Sequence, residues 1–209
     1  MSLNKYIAKQ FSNPTGLGGK LVSHIMNRQN HQLYEETIRL LSPSDADNVL
    51  DIGCGNGYML NMLARQYSCD FTGIDTSISA IKNASRRNRI FLNNSRMMLL
   101  CQSADAMTFA DSSFDKAYTV NTVYFWENLS VTMEEIRRVL RQGGLFINTL
   151  YTNETLARFS HTQFGYKRFT LDELTHVGIN AGFTADVIPI FNDAAYCIVY
   201  TKSYGEHIS

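Results

Sequence analysis

A chain of 209 residues, 44% hydrophobic and 18% charged, is the size of one domain and has enough apolar content to bury a core. Its 19 Lys and Arg balance 19 Asp and Glu, so the formal charge is zero and nothing suggests the broad cationic footprint that nucleic-acid binding needs. Cys54, Cys69, Cys101 and Cys197 are scattered without CxxC spacing, which argues against a metal or disulfide framework and for a reducing, cytoplasmic setting. Residues 1–11 hold no apolar core of signal-peptide length, and no run approaches the roughly 18 apolar residues of a membrane span, so no membrane partner is expected.

The first 44 residues stand apart from the rest of the chain. Pro14, Gly16, Gly18 and Gly19 make a break, and Leu21 to Leu41 reads as helical up to Ser42-Pro43-Ser44. This stretch, 1–44, is expected to be a helical cap over a sheet edge, and 45–209 the main domain. From residue 45 onward strands and helices alternate. Asn48 to Ile52 is a buried strand ending in a glycine turn, and Tyr58 to Gln66 a helix with Leu60, Leu63 and Ala64 on one face. Cys69 to Ile74 is a second strand, and Ser77 to Arg87 a helix that Thr76 or Ser77 can cap. Met97 to Cys101 and Phe114 to Val120 are further strands. Val131 to Leu140 is a helix ended by Gln142-Gly143-Gly144, and Leu145 to Leu150 a fifth strand. This rhythm predicts an α/β, doubly wound, mostly parallel sheet. Thr170 to Ala181 reads as a last helix, followed by strands at Phe183 to Ile190 and Ala195 to Lys202. Only four residues separate these strands, too few for a crossover, so they must pair antiparallel.

In open α/β sheets ligands bind beyond the carboxyl ends of the strands, and the loop Gly53-Cys54-Gly55-Asn56-Gly57 lies at such an end. Its pattern is GxGxG. A dinucleotide dehydrogenase would carry a third glycine where this chain has Tyr58, and a phosphate-binding GxxxxGK[ST] loop is absent. Asp75, closing strand two, is placed to accept hydrogen bonds from both hydroxyls of a ribose; the alternative is that it caps the next helix. Asp105, after strand three, can accept from an exocyclic amine while the adjacent backbone reads a ring nitrogen; the alternative is a solvated loop aspartate.

Together these three segments resemble the class I S-adenosylmethionine-dependent methyltransferases, from residue 45 to 202. Val49-Leu50-Asp51-Ile52-Gly53-Cys54-Gly55-Asn56-Gly57 is similar to the family's first motif, Asp75 to its ribose-binding acid, and Asp105-Ala106 to its adenine-contacting pair. Asp111 to Asp115 and Arg137 to Gly144 are similar to the stretches that introduce its strands four and five, and residues 13–19 and 26–31 resemble the leader of a small-molecule subgroup. The resemblance implies a seven-stranded Rossmann-like sheet ending in an antiparallel hairpin. It implies S-adenosyl-L-methionine as cofactor, held by Asp51, Gly53, Cys54, Gly55, Asn56, Asp75, Thr76, Ala104, Asp105, Ala106 and Asn121, with Asp51 orienting the loop.

Methyl transfer needs alignment and exclusion of water more than a fixed catalytic cluster, and the sequence shows none. Asn121-Thr122-Val123-Tyr124-Phe125-Trp126 lacks the Asn-Pro-Pro-Tyr of amino-methylating relatives, which favours a small-molecule acceptor. Tyr124 and Trp126, with Tyr151 and Tyr166, are the expected pocket wall, whereas Phe125 is expected to pack in the core. Cys54 is read as a small apolar loop residue. The five histidines show no metal-ligand spacing. Lys82, Arg86, Arg87, Arg89 and Arg96 form a basic run without acids, read as a solvated helix face; the alternative is attraction of an acidic substrate or RNA. A module that holds the cofactor without catalysis, and a nicotinamide oxidoreductase, are the competing readings.

Overall fold

A computed structural model describes residues 25–203; the Pro14–Gly19 break and residues 13–19 of the leader lie outside them. Residues 25–29 are helical, Asn30 interrupts, and α1 (His31–Leu41) completes the leader's helical stretch. Then come β1 (Asn48–Ile52), α2 (Tyr58–Gln66), β2 (Asp70–Asp75), α3 (Ile78–Arg87), α4 (Arg89–Asn93), β3 (Met97–Cys101) and β4 (Phe114–Val120). The chain continues through α5 (Leu129–Val139), β5 (Leu140–Tyr151), α6 (Asn153–Ala157), α7 (Leu171–Asn180), β6 (Phe183–Ile190) and β7 (Ala195–Lys202).

The strands form a seven-stranded sheet in the order β3-β2-β1-β4-β5-β7-β6. The first five are parallel, and β7 runs antiparallel to both β5 and β6, as the short connection required. Sequence order reverses between β1 and β4, so the crevice at their carboxyl ends is the switch point where such sheets bind ligands. Alternation along β1 sends Leu50 and Ile52 into one core, with Met133 and Ile136 of α5 and Leu174 of α7. It sends Val49 into the other, with Leu33, Ile38 and Leu41 of α1 and Leu60 and Leu63 of α2. Asp51 shares this second face, directly across from Tyr118 in β4.

Several boundaries differ from the expected ones, for local reasons. Helix α5 starts two residues early because the Asn128 side chain accepts from the Val131 amide and caps it. Gln142-Gly143-Gly144 does not end an element but sits in a bulge of β5, whose register against β4 shifts between Phe114 and Lys116. The stretch 151–169 contains α6, capped by Thr152, and a 3-10 turn at Ser160–Gln163. Between β6 and β7, Phe191, Asn192 and Asp193 are all left-handed, a conformation Asn and Asp tolerate better than most residues.

Candidate active site

The glycine loop is folded back on strand two. The amides of Gly53 and Cys54 both donate to the Ile74 carbonyl, at 2.8 and 2.9 Å, and the Gly55 amide donates to Oδ2 of Asp75 at 2.9 Å. Gly53 has φ +77°, and a Cβ there would lie 2.5 Å from Cγ2 of Thr122, so both backbone shape and space demand glycine. Gly55 has φ +53° but nothing within 4 Å of a Cβ position, because its backbone borders open space.

Asp75 stands beside the cap of the next helix without being that cap. Its Oδ1 accepts from the Ser77 amide at 2.8 Å, and Ser77 itself caps α3 by accepting from the Ala80 amide. Two amides thus occupy about half of the carboxylate's lone-pair sites, leaving acceptors for two further donors such as vicinal hydroxyls. Burial pushes its carboxyl above the usual range, while the Ser77 and Gly55 amides pull it back.

Asp51 is buried, and the Tyr118 hydroxyl donates to its Oδ2 at 2.8 Å. Burial pushes its carboxyl up to about 8, against the pull of Tyr118 and with a push from Asp75. Burial also pushes the Cys54 thiol up, which keeps it protonated and inert at neutral pH.

Asn121 closes β4 with φ +57°. Its Oδ1 accepts from the Tyr124 hydroxyl at 3.2 Å and the Tyr151 amide at 3.3 Å, and its Nδ2 donates to Oδ1 of Asn30 at 3.1 Å. The leader makes two more contacts here: the Asn56 amide group donates to Oδ1 of Asn27 at 3.4 Å, and the Tyr151 hydroxyl to the Gln29 carbonyl at 3.2 Å.

These elements enclose a cavity of about 730 Å³, within the range of roughly 300–1,000 Å³ typical of small-molecule sites. Asp51, Gly53, Cys54, Gly55, Asn56, Asp75, Thr76, Ala104, Asp105 and Asn121 all line it, as do Tyr124, Trp126, Tyr151 and Tyr166. Ala106 is exposed and stands outside the lining. Phe125 departs from its expected core packing, while Tyr124 and Trp126 reach the lining although both are mostly buried. Tyr124 is 2% exposed and Trp126 stacks on Phe146 in the core, whereas Phe125 is the half-buried wall residue, edge-on to Tyr166 with ring centroids 4.7 Å apart. An apolar residue after a strand usually packs in the core, which is the basis for expecting Phe125 there; the 3-10 turn at Val123–Phe125 swings it into the cavity instead.

Sequence reasoning missed Asn27, Asn30, Leu156, Phe159 and His161 as lining residues. His161 packs against Phe159 and Tyr166, and burial lowers its imidazole below the usual value. The turn that carries it is pinned by Thr162, whose hydroxyl donates to the carbonyls of Leu156 and Phe159, and by Arg168, which donates to the Thr162 carbonyl. Leu156, Phe159 and His161 sit in no recognisable motif, and the likeness of residues 26–31 to a subgroup leader carried no role for Asn27 or Asn30.

A doubly wound sheet with a glycine loop, a strand-two carboxylate and a strand-three aspartate around one cavity defines an α/β protein built to take a ligand at its switch point. The family described as "Methyltransferase domain" matches residues 50–148. The chain is 30% identical over 135 residues to the uncharacterized methyltransferase YdaC of Bacillus subtilis, covering 64% of this chain and 72% of that protein. It is 29% identical over 133 residues to 24-methylenesterol C-methyltransferase 2 of Oryza sativa subsp. japonica, covering 63% of this chain but 37% of the rice protein. Among solved structures, geranyl diphosphate methyltransferase in complex with SAM superposes with a TM-score of 0.72 at 13% identity, over 91% of this chain and 92% of that one. The chain belongs to the class I S-adenosylmethionine-dependent methyltransferases, and S-adenosylmethionine is its cofactor.

Proposed function

We propose that the chain transfers a methyl group to a small, largely apolar acceptor. The observation that carries this is the continuity of the cavity: one end offers carboxylates and glycine backbone, and the other is walled by Tyr124, Phe125, Tyr151, Leu156, Phe159 and Tyr166. When bound, the cofactor supplies a methyl carbon on a positively charged sulfur. Asp75 holds ribose hydroxyls with the acceptor sites its two amide donors leave free, beside Thr76. Asp105 accepts from the adenine amine, with the backbone of Ala104 alongside. The carbonyl oxygens of Gly53, Gly55 and Asn121 receive the ammonium group, since the amides of Gly53, Cys54 and Gly55 are turned to strand two and the Cys54 and Asn56 carbonyls already accept from Gly57 and Arg87. Asp51 fixes that loop from behind and adds a negative field. Tyr124, Phe125 and Tyr166 exclude water from the acceptor and favour the sulfonium through their ring faces. The described part of the leader, residues 25–44, roofs this site through Asn27, Gln29 and Asn30.

The rice relative is named for methylation at a sterol carbon, which supports an apolar acceptor, although the shared region is only 37% of that protein. Calorimetry with S-adenosylmethionine and its demethylated product should show binding at sub-millimolar concentration; silence from both would sink the reading. Transfer of labelled methyl groups to a fractionated metabolite pool identifies the acceptor. Binding without turnover on any fraction would favour a module that holds the cofactor without catalysis.

A further inference from the structure

The basic run lies where the catalytic reading has no use for it. Between Thr76 and Ala104 the sequence carries five cations and no acid, in a chain whose charges cancel overall. Two of the five are used internally. Arg87 donates to the Asn56 carbonyl at 3.1 Å and lies over the Tyr58 ring, and Arg96 donates to the Tyr67 carbonyl and lies over Phe91. Lys82, Arg86 and Arg89 are exposed and have no carboxylate partner among the described residues.

These three share a face with Ile78 and Ile90, which are 63% and 69% exposed. The steps 78, 82, 86 and 90 place Ile78, Lys82, Arg86 and Ile90 along one stripe of α3 and its continuation α4, with Arg89 next to Ile90. Ala80, Ala84 and Asn88 on the opposite side are buried. A solvated helix face explains the cations, but it does not explain an isoleucine left in water at each end of them. The combination of a cationic stripe with aliphatic ends matches the chemistry of an anionic lipid surface, which offers phosphates and an apolar boundary in the same plane. Readers of single-stranded nucleic acid instead present aromatic rings for stacking, and the ring on this segment, Phe91, packs against the second core.

We propose that the α3–α4 face docks on anionic phospholipid, with Ile78 and Ile90 entering the headgroup boundary and Lys82, Arg86 and Arg89 against the phosphates. This is a surface contact, not a span: among the described residues no helix is long and apolar enough to cross a membrane. Ile78 lies between Thr76 and Ala80, both in the cavity wall, so the docked face adjoins the adenosyl end of the site. The proposal is independent of which acceptor the enzyme uses.

The test is co-sedimentation of the full chain with phosphatidylcholine vesicles, with and without a minority of phosphatidylglycerol. Binding is expected to the anionic vesicles alone, falling as salt rises. Replacing Lys82, Arg86 and Arg89 together by Ser should weaken it on the order of a hundredfold, about fivefold for each charge. The I78S/I90S pair should weaken it at all salt concentrations. Unchanged calorimetry with S-adenosylmethionine shows that both variants remain folded. Equal binding to neutral vesicles, no binding to anionic ones, or full binding by the triple variant would overturn the proposal. So would tighter binding to single-stranded RNA than to vesicles, lost in the same triple variant.

Discussion

Substituting Asp51 by Asn should flatten the pH dependence of stability in the cofactor-free protein. Burial holds the Asp51 carboxyl up at about 8, whereas in the unfolded chain it titrates near 3.9, the ordinary value for an aspartate. Between those values the folded state carries a proton that the unfolded state lacks. The contribution to stability is therefore fully present below pH 3.9 and is lost as pH rises to about 8. Each unit in that window costs about 1.4 kcal/mol, and from pH 6 to 8, with the folded group half titrated at the end, the loss is about 2 kcal/mol. For a chain of this length that corresponds to roughly 4–8 °C in Tm. An asparagine keeps an acceptor for the Tyr118 hydroxyl but does not titrate. Thermal melts at pH 6 and 8 should show a drop in the wild type that exceeds the drop in D51N by that amount. Equal drops would refute the reasoning. The same carboxyl should respond to ligand. A bound ammonium near the loop returns it to the ionised form, so at pH 7 binding should release about 0.9 proton in the wild type and almost none in D51N. Calorimetry in two buffers of different ionisation enthalpy measures this.

Gly53→Ala should lower Tm and abolish cofactor binding, because it combines a left-handed backbone with a 2.5 Å contact to Thr122. Gly55→Ala meets no neighbour, so its cost should be about 1–2 kcal/mol of backbone strain, with a larger fractional loss in cofactor affinity. Asp75→Asn should weaken cofactor binding about 10- to 150-fold, the range for losing a hydrogen bond to a charged group, as read by calorimetry. Phe125→Ala should raise the acceptor KM about tenfold or more, with a smaller loss in cofactor affinity as its ring face no longer meets the sulfonium. Gly178→Ala, far from the cavity, would put a Cβ 2.2 Å from the Tyr200 ring; it should cost about 1–3 kcal/mol in a denaturant melt and leave the cofactor Kd of the folded fraction intact.

The adenosyl half of the site was legible because its chemistry depends on residues adjacent in sequence to strand ends. Gly53 and Gly55 follow β1, Asp75 closes β2 and Asp105 follows β3, and parallel pairing brings those strand ends together without further information. The hairpin was legible from the four residues between its strands. The acceptor half was not. Phe125 enters the cavity because of a single 3-10 turn, and His161 because Thr162 and Arg168 pin a segment with no periodicity of its own. Asn27 and Asn30 reach the site across a separation of many residues, and two asparagines in a helical stretch announce nothing. The start of α5 and the bulge in β5 escaped for the same reason: a side-chain cap and a register shift are decided by neighbours in space.

The glycine loop reads as one motif, yet its three glycines answer to three different demands. Gly53 makes room for Thr122 of the β4 loop, and Gly55 borders the ligand space. Gly57 does neither: a Cβ there would fall 2.5 Å from Asn88 and 2.9 Å from Ala84, and the buried Asn88 side chain donates to the Gly57 carbonyl at 3.0 Å. The last glycine is thus a joint between α2 and the end of α3. Side chains introduced along these five residues would report in turn on how two loops interlock, on how much room the cofactor has, and on how closely two helices meet. A loss of methylation from any one of them is a measurement of a different thing.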